Sequence, residues 1–86
     1  MQSGLLWFDN NPARELSAKL EEAARRYRDK FGIIPDTCYV NQAAVSGSIV
    51  TIQLAGLSGK PLRVLPAGNI LPHHFWIGVD EMREAA

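Results

Sequence analysis

A helical pattern of apolar positions runs through residues 12–31. Apolar or small side chains recur there every three or four residues, so they share one face of an α-helix, and most other positions carry charge. The apolar stripe consists of Ala13, Leu16, Leu20, Ala23, Ala24, Tyr27 and Phe31. Because no other segment keeps this period over such a length, the sequence predicts one long helix around which the other elements pack.

The ends of this helix also follow from the sequence. Asn11 can cap the first turn with its side-chain oxygen, and Pro12 suits the first helical position, where no backbone donor is needed. Gly32 suits the left-handed position that follows a last turn. Three acid–base pairs have the favourable i,i+4 order, namely Glu15–Lys19, Glu21–Arg25 and Glu22–Arg26. The helix is therefore predicted to span residues 12–31.

Five short apolar segments predict the strands. Residues 5–8 and 37–40 are apolar on both faces, as buried parallel strands usually are, and the helix lies between them in the chain. A strand, a helix and a second strand with tight connections resemble a right-handed crossover, which makes the two strands parallel. Residues 48–55 and 62–65 form a predicted hairpin, and residues 73–79 form the last strand.

These elements predict a small, α/β-like α+β fold in a single domain of residues 1–86. A β-α-β unit is followed by a β-hairpin and a C-terminal strand, which gives a mixed sheet of four to five strands with the helix on one face. Residues 41–47 are predicted as a connector or one short helical turn. Residues 80–86 are predicted as a short terminal helix or a loose tail.

Apolar residues on both faces of this sheet leave one face without a cover. The single helix protects one face, and a large apolar surface is rarely left in water. We therefore expect a homodimer that buries the open face or an edge strand, most simply about a two-fold axis. The expected interface residues are Trp7, Ile49, Leu65 and Trp76. The alternative is that the termini and residues 41–47 cover this face themselves.

Charge and cysteine content narrow the range of functions. Nine basic residues balance nine acidic ones, so general electrostatic binding to nucleic acid or to an anionic membrane is not favoured. The one cysteine, Cys38, excludes a disulfide framework within the chain, and the absence of a secretory apolar region predicts a cytoplasmic protein. No run approaches the ~20 apolar residues of a membrane-spanning helix.

Polar residues follow the first two strands at the points where these end. Asp9 and Asn10 come directly after the first strand, and Asn41 follows the second. If the strands are parallel, these side chains meet at the carboxyl edge of the sheet, where open α/β sheets usually bind ligands. Together with His74 they form a candidate site for a small ligand or for a minor enzymatic activity. The alternative, which these residue types favour, is ordinary capping and turn chemistry.

A second hypothesis is the binding of single-stranded nucleic acid. Aromatic side chains can stack on bases, and neighbouring arginines can contact the backbone phosphates. The residues for this function are Arg25, Arg26, Arg28, Arg63 and Trp76. Acidic residues are interleaved through the same helix, however, which favours a solvated surface matched to the helix dipole over a nucleic-acid contact.

The sequence carries no recognisable catalytic or metal-binding motif. His73 and His74 are adjacent, so in a strand they face opposite ways and do not hold one metal ion together. There is no glycine-rich nucleotide motif and no G-x-S-x-G element. Cys38 inside an apolar strand is typical of inert packing. We therefore expect no cofactor, no metal and no catalytic residue.

Three segments resemble a known group of proteins. They are WFDN at residues 7–10, YRDKFG at residues 27–32 and LPHHFWIG at residues 71–78. Taken together they resemble a family of small uncharacterised bacterial proteins over nearly the whole chain. This resemblance implies a stand-alone domain and no particular activity. With the open sheet face, it leads us to expect a non-enzymatic, dimeric interaction or adaptor module with an unidentified protein partner.

Overall fold

Residues 4–80, the part of the chain that the computed structural model describes, form one α-helix and five β-strands. The strands are β1 (Gly4–Phe8), β2 (Thr37–Val40), β3 (Val50–Leu54), β4 (Lys60–Pro66) and β5 (His74–Gly78), and the helix is α1 (Leu16–Phe31). Short 3₁₀ turns at Gln42–Val45 and Ala55–Leu57 flank β3. The predicted α+β class, with a mixed sheet and one long helix, is confirmed.

The helix or tail that was expected at the C-terminus falls almost entirely outside the described residues. Asp80 follows β5 without regular secondary structure, and residues 81–86 are not described. Within residues 4–80, no helix has both the length and the apolar character needed to cross a membrane.

The five strands form one mixed sheet in the order β1-β5-β2-β4-β3. β1 and β2 each pair antiparallel with β5, so they run in the same direction, as predicted, but β5 lies between them. β4 pairs parallel with β2 and antiparallel with β3, which confirms the hairpin. β1 and β3 are therefore the two edge strands.

The helix begins at Leu16, so the predicted start at residue 12 is wrong. The side-chain oxygen of Asn11 accepts a hydrogen bond from the N–H of Ala13 (2.9 Å), and the Asn11 carbonyl accepts from Arg14 N–H, which closes a turn before the helix. Asparagine before proline favours this turn as readily as a helix cap. Glu15 occupies the capping position without a side-chain capping bond.

The C-terminal end of α1 lies where the sequence predicts it. Gly32 has a φ of 79°, and its N–H donates to the Arg28 carbonyl (2.7 Å). A side chain is disfavoured in this left-handed conformation, which explains the choice of glycine at this position.

The hydrophobic core lies between α1 and one face of the sheet. Leu20, Ala23, Ala24 and Tyr27 of the predicted apolar stripe are buried and belong to this core. Alternate strand residues supply the sheet side of the core: Cys38, Val40, Leu54, Leu62, Val64, Phe75 and Ile77. Val45 and Leu57, from the two 3₁₀ turns, close its ends. All the regular elements thus contribute to one side of the sheet.

Candidate functional site

The sheet face turned away from α1 carries a continuous row of apolar side chains. Leu6 pairs in register with Trp76, Trp76 with Tyr39, and Tyr39 with Leu65, so these four residues cross four neighbouring strands. We call this side the open face. Its strand positions are Leu6, Phe8, Thr37, Tyr39, Thr51, Gln53, Pro61, Arg63, Leu65, His74 and Trp76.

The open face is covered in the middle and exposed along β1. Ile70, in the loop between β4 and β5, lines a cleft together with Tyr39 and Trp76, all of which are partly buried. Leu6 and Phe8 of β1 expose 56% and 53% of their surface, and Leu71 exposes 67%. The self-covering alternative is thus partly realised, by residues 67–71 and not by residues 41–47. The termini that it also named, residues 1–3 and 81–86, lie outside the described residues.

Gly4 of β1 leaves room for the Trp76 ring on this face. Gly4 lies opposite Gly78, and a Cβ added to Gly4 would stand 2.8 Å from two atoms of the indole ring. The missing side chain therefore gives the Trp76 ring its place against β1. The glycine explains why a large aromatic side chain can lie across this part of the sheet.

The four residues expected at an interface do not form one surface. Leu65 and Trp76 lie on the open face, whereas Trp7 packs against the core on the opposite face, with the Arg26 guanidinium 5.7 Å from its ring centre. Ile49 precedes β3 and is 63% exposed. Alternation along β1 places Leu6 on the open face, where the sequence reasoning did not place it. A short run that is apolar on both faces gives no indication of which residues the helix covers.

The expected ligand site at the carboxyl edge corresponds to a cavity of about 290 Å³. It lies between the first turns of α1, the 3₁₀ turn Gln42–Val45 and the start of β5. Its apolar wall consists of Leu16, Ala43, Ala44, Pro72 and Phe75. Its polar lining consists of Lys19, Asn41, His73 and His74. Two of the four predicted ligand residues, Asn41 and His74, are therefore brought together there.

The other two predicted ligand residues, Asp9 and Asn10, do not line this cavity. The Asp9 carboxylate accepts hydrogen bonds from Asn11 N–H (2.9 Å) and from an Arg14 guanidinium nitrogen (3.2 Å). Its own N–H donates to the carbonyl of His73. Asn10 is exposed. For Asp9 the turn and capping interpretation is therefore the correct one.

Asn41 and His74 hold the rim of the cavity in place. The Asn41 side chain accepts from Ala43 N–H (3.0 Å) and donates to the Ile70 carbonyl (2.9 Å), so it ties the connector after β2 to the loop before β5. Nδ1 of His74 lies 3.0 Å from the Pro72 carbonyl oxygen. Because that oxygen only accepts, Nδ1 carries the proton, and Nε2 keeps its lone pair when the ring is neutral.

The arginines of the nucleic-acid hypothesis are each paired with a carboxylate. The pairs are Arg25–Glu21 (3.6 Å), Arg26–Glu22 (3.5 Å), Arg28–Asp29 (3.3 Å) and Arg63–Asp80 (3.8 Å). Two of these are i,i+4 pairs that the sequence predicts. The helix arginines lie on α1, on the other side of the sheet from Trp76. Of the predicted arginines, Arg63 is the one that shares the open face with Trp76.

Within residues 4–80, no three histidine, cysteine, aspartate or glutamate side chains come together as a metal site. His73 lies just outside β5 with a φ of 65° and is exposed, and His74 is partly buried, so neither histidine belongs to the core.

We expect Cys38 to resist reaction with thiol reagents in the folded protein. Its side chain has no exposed surface, and burial raises the pKa of the thiol far above its usual range, so almost no thiolate forms near neutral pH. Reaction with an aromatic disulfide reagent, followed by absorbance with and without denaturant, measures this. A rate in the native protein within about tenfold of that of free cysteine contradicts the buried position.

Comparisons of the chain with protein-family models, with curated proteins and with solved structures find no match. The contacts, burial and charges of residues 4–80 therefore carry the functional conclusions. They define a small α+β domain with two candidate functional features, which are an incompletely covered sheet face and a cavity at the carboxyl edge.

Proposed function

We propose that the protein is a non-enzymatic homodimeric interaction module whose two copies meet through the open face. The observation that carries this proposal is the cluster of exposed apolar side chains on the β1 side of that face. Leu6, Phe8 and Leu71 each expose more than half of their surface. Such a cluster, continuous with the partly buried Trp76, is typical of a protein–protein contact.

The shape of this cluster suits an interlocking contact. Phe8 packs on the His74 ring with their centres 4.9 Å apart. Beside it, Leu6, Ile70 and Leu71 line a shallow notch of about 120 Å³. A protruding aliphatic side chain from a second molecule fits such a notch. Buried aromatic and aliphatic anchors in pockets supply most of the binding free energy of protein interfaces.

The edge strand β1 extends the same surface. Its sequence, GLLWF, contains no charged residue and no proline. Natural proteins usually protect an exposed edge with charges, prolines or bulges, because a free edge offers unpaired N–H and C=O groups to another strand. An unprotected edge next to an apolar cluster favours association.

Charge favours a second copy of this chain as the occupant. Arg63 is the one formal charge among the strand positions of the open face, and it lies 3.8 Å from the Asp80 carboxylate. Two identical surfaces therefore meet without net repulsion, and the chain as a whole carries nine basic and nine acidic residues. A two-fold arrangement closes the assembly at two copies.

The size of the molecule is sufficient for such an interface. The Cα atoms span 32 × 25 × 19 Å, so an interface that buries roughly 800 Å² per partner would use most of the broadest side of the molecule. The proposed contact is small for an obligate dimer, and we expect a dissociation constant on the order of 1 μM.

Sedimentation across a range of concentrations around this dissociation constant tests the proposal. We expect the native chain to approach twice its 9.5 kDa mass as the concentration rises. Leu6→Asp places a carboxylate in each half of the contact, and the cost of desolvating it without a partner weakens the dimer by about 100-fold or more.

The matched control is Ile33→Asp. Ile33 is 52% exposed, which is close to the 56% of Leu6, but it lies after α1, outside the open face. We expect this variant to dimerise like the native chain, and circular dichroism of both variants checks that they fold. The homodimer is overturned if the native chain stays monomeric at every concentration, even if it binds a different protein. It is also overturned if the Leu6→Asp variant dimerises as the native chain does.

A further inference from the structure

Lys19 is the unusual charged residue of this fold. Most charged side chains of α1 point to solvent, but Lys19 exposes only 9% of its surface. The stem of a lysine can pack in this way while its ammonium nitrogen still reaches solvent, and Nζ of Lys19 is not an enclosed polar atom. Among residues 4–80, no carboxylate lies within ion-pair distance of Lys19, and its side chain makes no hydrogen bond there.

Lys19 belongs to the lining of the edge cavity. The remaining polar lining comes from Asn41, His73 and His74, and no carboxylate is among the lining residues. The cavity therefore has one permanent positive charge and no negative one. Such a site attracts an anion, and it disfavours a cation or a second ammonium group.

We propose that the edge cavity binds a small monocarboxylate with an apolar body, and that Lys19 forms the ion pair with the carboxylate. The apolar wall of Leu16, Pro72 and Phe75 would contact the body of the ligand. One ammonium group balances one carboxylate. A phosphate dianion would leave an unpaired charge against this apolar wall, which is why the carboxylate is favoured.

The volume of the cavity sets the size of the ligand. A volume of about 290 Å³ lies at the lower end of the range found for small-molecule sites, so the cavity suits a small ligand. A carboxylic acid of about nine non-hydrogen atoms, such as benzoate, fits this space. With ordinary binding energy per atom, a ligand of this size is expected to have a dissociation constant on the order of 1 mM.

The rim of the cavity is fixed before any ligand arrives. Asn41 links the connector after β2 to the Ile70 carbonyl, and Asp9 N–H holds the carbonyl of His73 (3.0 Å). His73 has a φ of 65°, which is unfavourable for a residue with a side chain and is maintained by these contacts. A preformed site limits the entropy that binding would otherwise cost.

Titration with benzoate, followed by NMR of the backbone amides, tests the proposal. We expect saturable shifts at Leu16, Lys19 and Ala44. Lys19→Met keeps the length of the side chain and removes its charge, so benzoate affinity is expected to fall at least about tenfold. The matched control is Lys30→Met, because Lys30 is an exposed lysine of the same helix, and its affinity for benzoate is expected to be unchanged.

Two further ligands serve as probes. Benzyl alcohol separates the effect of the ligand's charge from that of its shape, and inorganic phosphate tests whether the cavity prefers a carboxylate. Benzyl alcohol has a similar size without the charge, and we expect it to bind the native chain at least about tenfold more weakly than benzoate. The proposal is overturned if benzoate gives no saturable shifts, if Lys19→Met binds it as tightly as the native chain, or if inorganic phosphate binds better than benzoate. The cavity and the proposed dimer contact share His74, so the titration is repeated with Leu6→Asp, and we expect this variant to bind benzoate as the native chain does.

Discussion

Replacing Leu20 by alanine is expected to lower the free energy of unfolding by about 2–5 kcal/mol. Leu20 has no exposed surface and lies on the core face of α1, between the helix and the sheet. The substitution removes buried apolar atoms and leaves a cavity that the neighbouring strands fill only in part. For a domain of this size the whole free energy of unfolding is about 5–10 kcal/mol, so the variant loses a large share of it.

Chemical denaturation followed by tryptophan fluorescence measures the effect. The matched control is Ile33→Ala, since Ile33 is 52% exposed and its loss is expected to change the free energy of unfolding by less than about 0.5 kcal/mol. A Leu20→Ala variant as stable as the control would mean that α1 does not pack on the sheet as described. A dimer that dissociates on unfolding makes the midpoint depend on concentration, so both variants are compared at equal concentration.

Replacing Asp36 by alanine is expected to cost about 2–4 kcal/mol, although Asp36 lies in a turn. One oxygen of its carboxylate accepts hydrogen bonds from the Thr37 hydroxyl (2.9 Å) and from Asp80 N–H (2.9 Å). Thr37 has no exposed surface, so its hydroxyl cannot turn to solvent when the acceptor is removed. A buried hydroxyl without a partner carries the full cost of its desolvation.

Two companion variants separate this effect from a general disturbance of the turn. Asp36→Asn keeps an oxygen in the same place, so most of the stability is expected to return. Thr37→Val removes the buried hydroxyl, and in that background Asp36→Ala is expected to cost about 1 kcal/mol less than in the native chain. Denaturation curves of the native chain, of Asp36→Ala, of Thr37→Val and of the double variant give this difference. If the two losses of stability are simply additive, the proposed hydrogen bond is contradicted.

The helix shows which features can be predicted from residues that are close together in the sequence. Its apolar stripe and its glycine end are confirmed, because both depend on residues within one or two turns of each other. Its start is wrong by four residues. The side-chain oxygen of Asn11 has two local uses, a helix cap or a turn, and it takes the turn, where it accepts from Ala13 N–H. The contact of Asp9 with Arg14 supports that turn, and such a contact has no pattern in the sequence.

The candidate sites show the same limit. Asn41 and His74 are expected to lie near each other because of their positions at the ends of predicted strands, and both line the edge cavity. Lys19 is missed, because its position in the charged pattern of α1 predicts exposure to solvent. It is buried only because the connector after β2 and the residues before β5 pack beside the first turns of the helix. The sequence predicts a Glu15–Lys19 ion pair, and only the three-dimensional structure shows that these two side chains are not within ion-pair distance.

The sequence by itself determined the number and kind of the elements, the buried stripe of the helix and the direction of its two neighbouring strands. Each of these depends on periodicity, on capping or on short connections, which act over a few residues. Only the tertiary structure decided that β5 lies between β1 and β2, that Trp7 faces the helix while Leu6 and Phe8 face away from it, and that residues 67–71 cover the middle of the open face. Those outcomes depend on pairings between residues that are far apart in the chain. A strand that is apolar on both sides is compatible with several strand orders and with either face toward the helix, and only packing selects one of them.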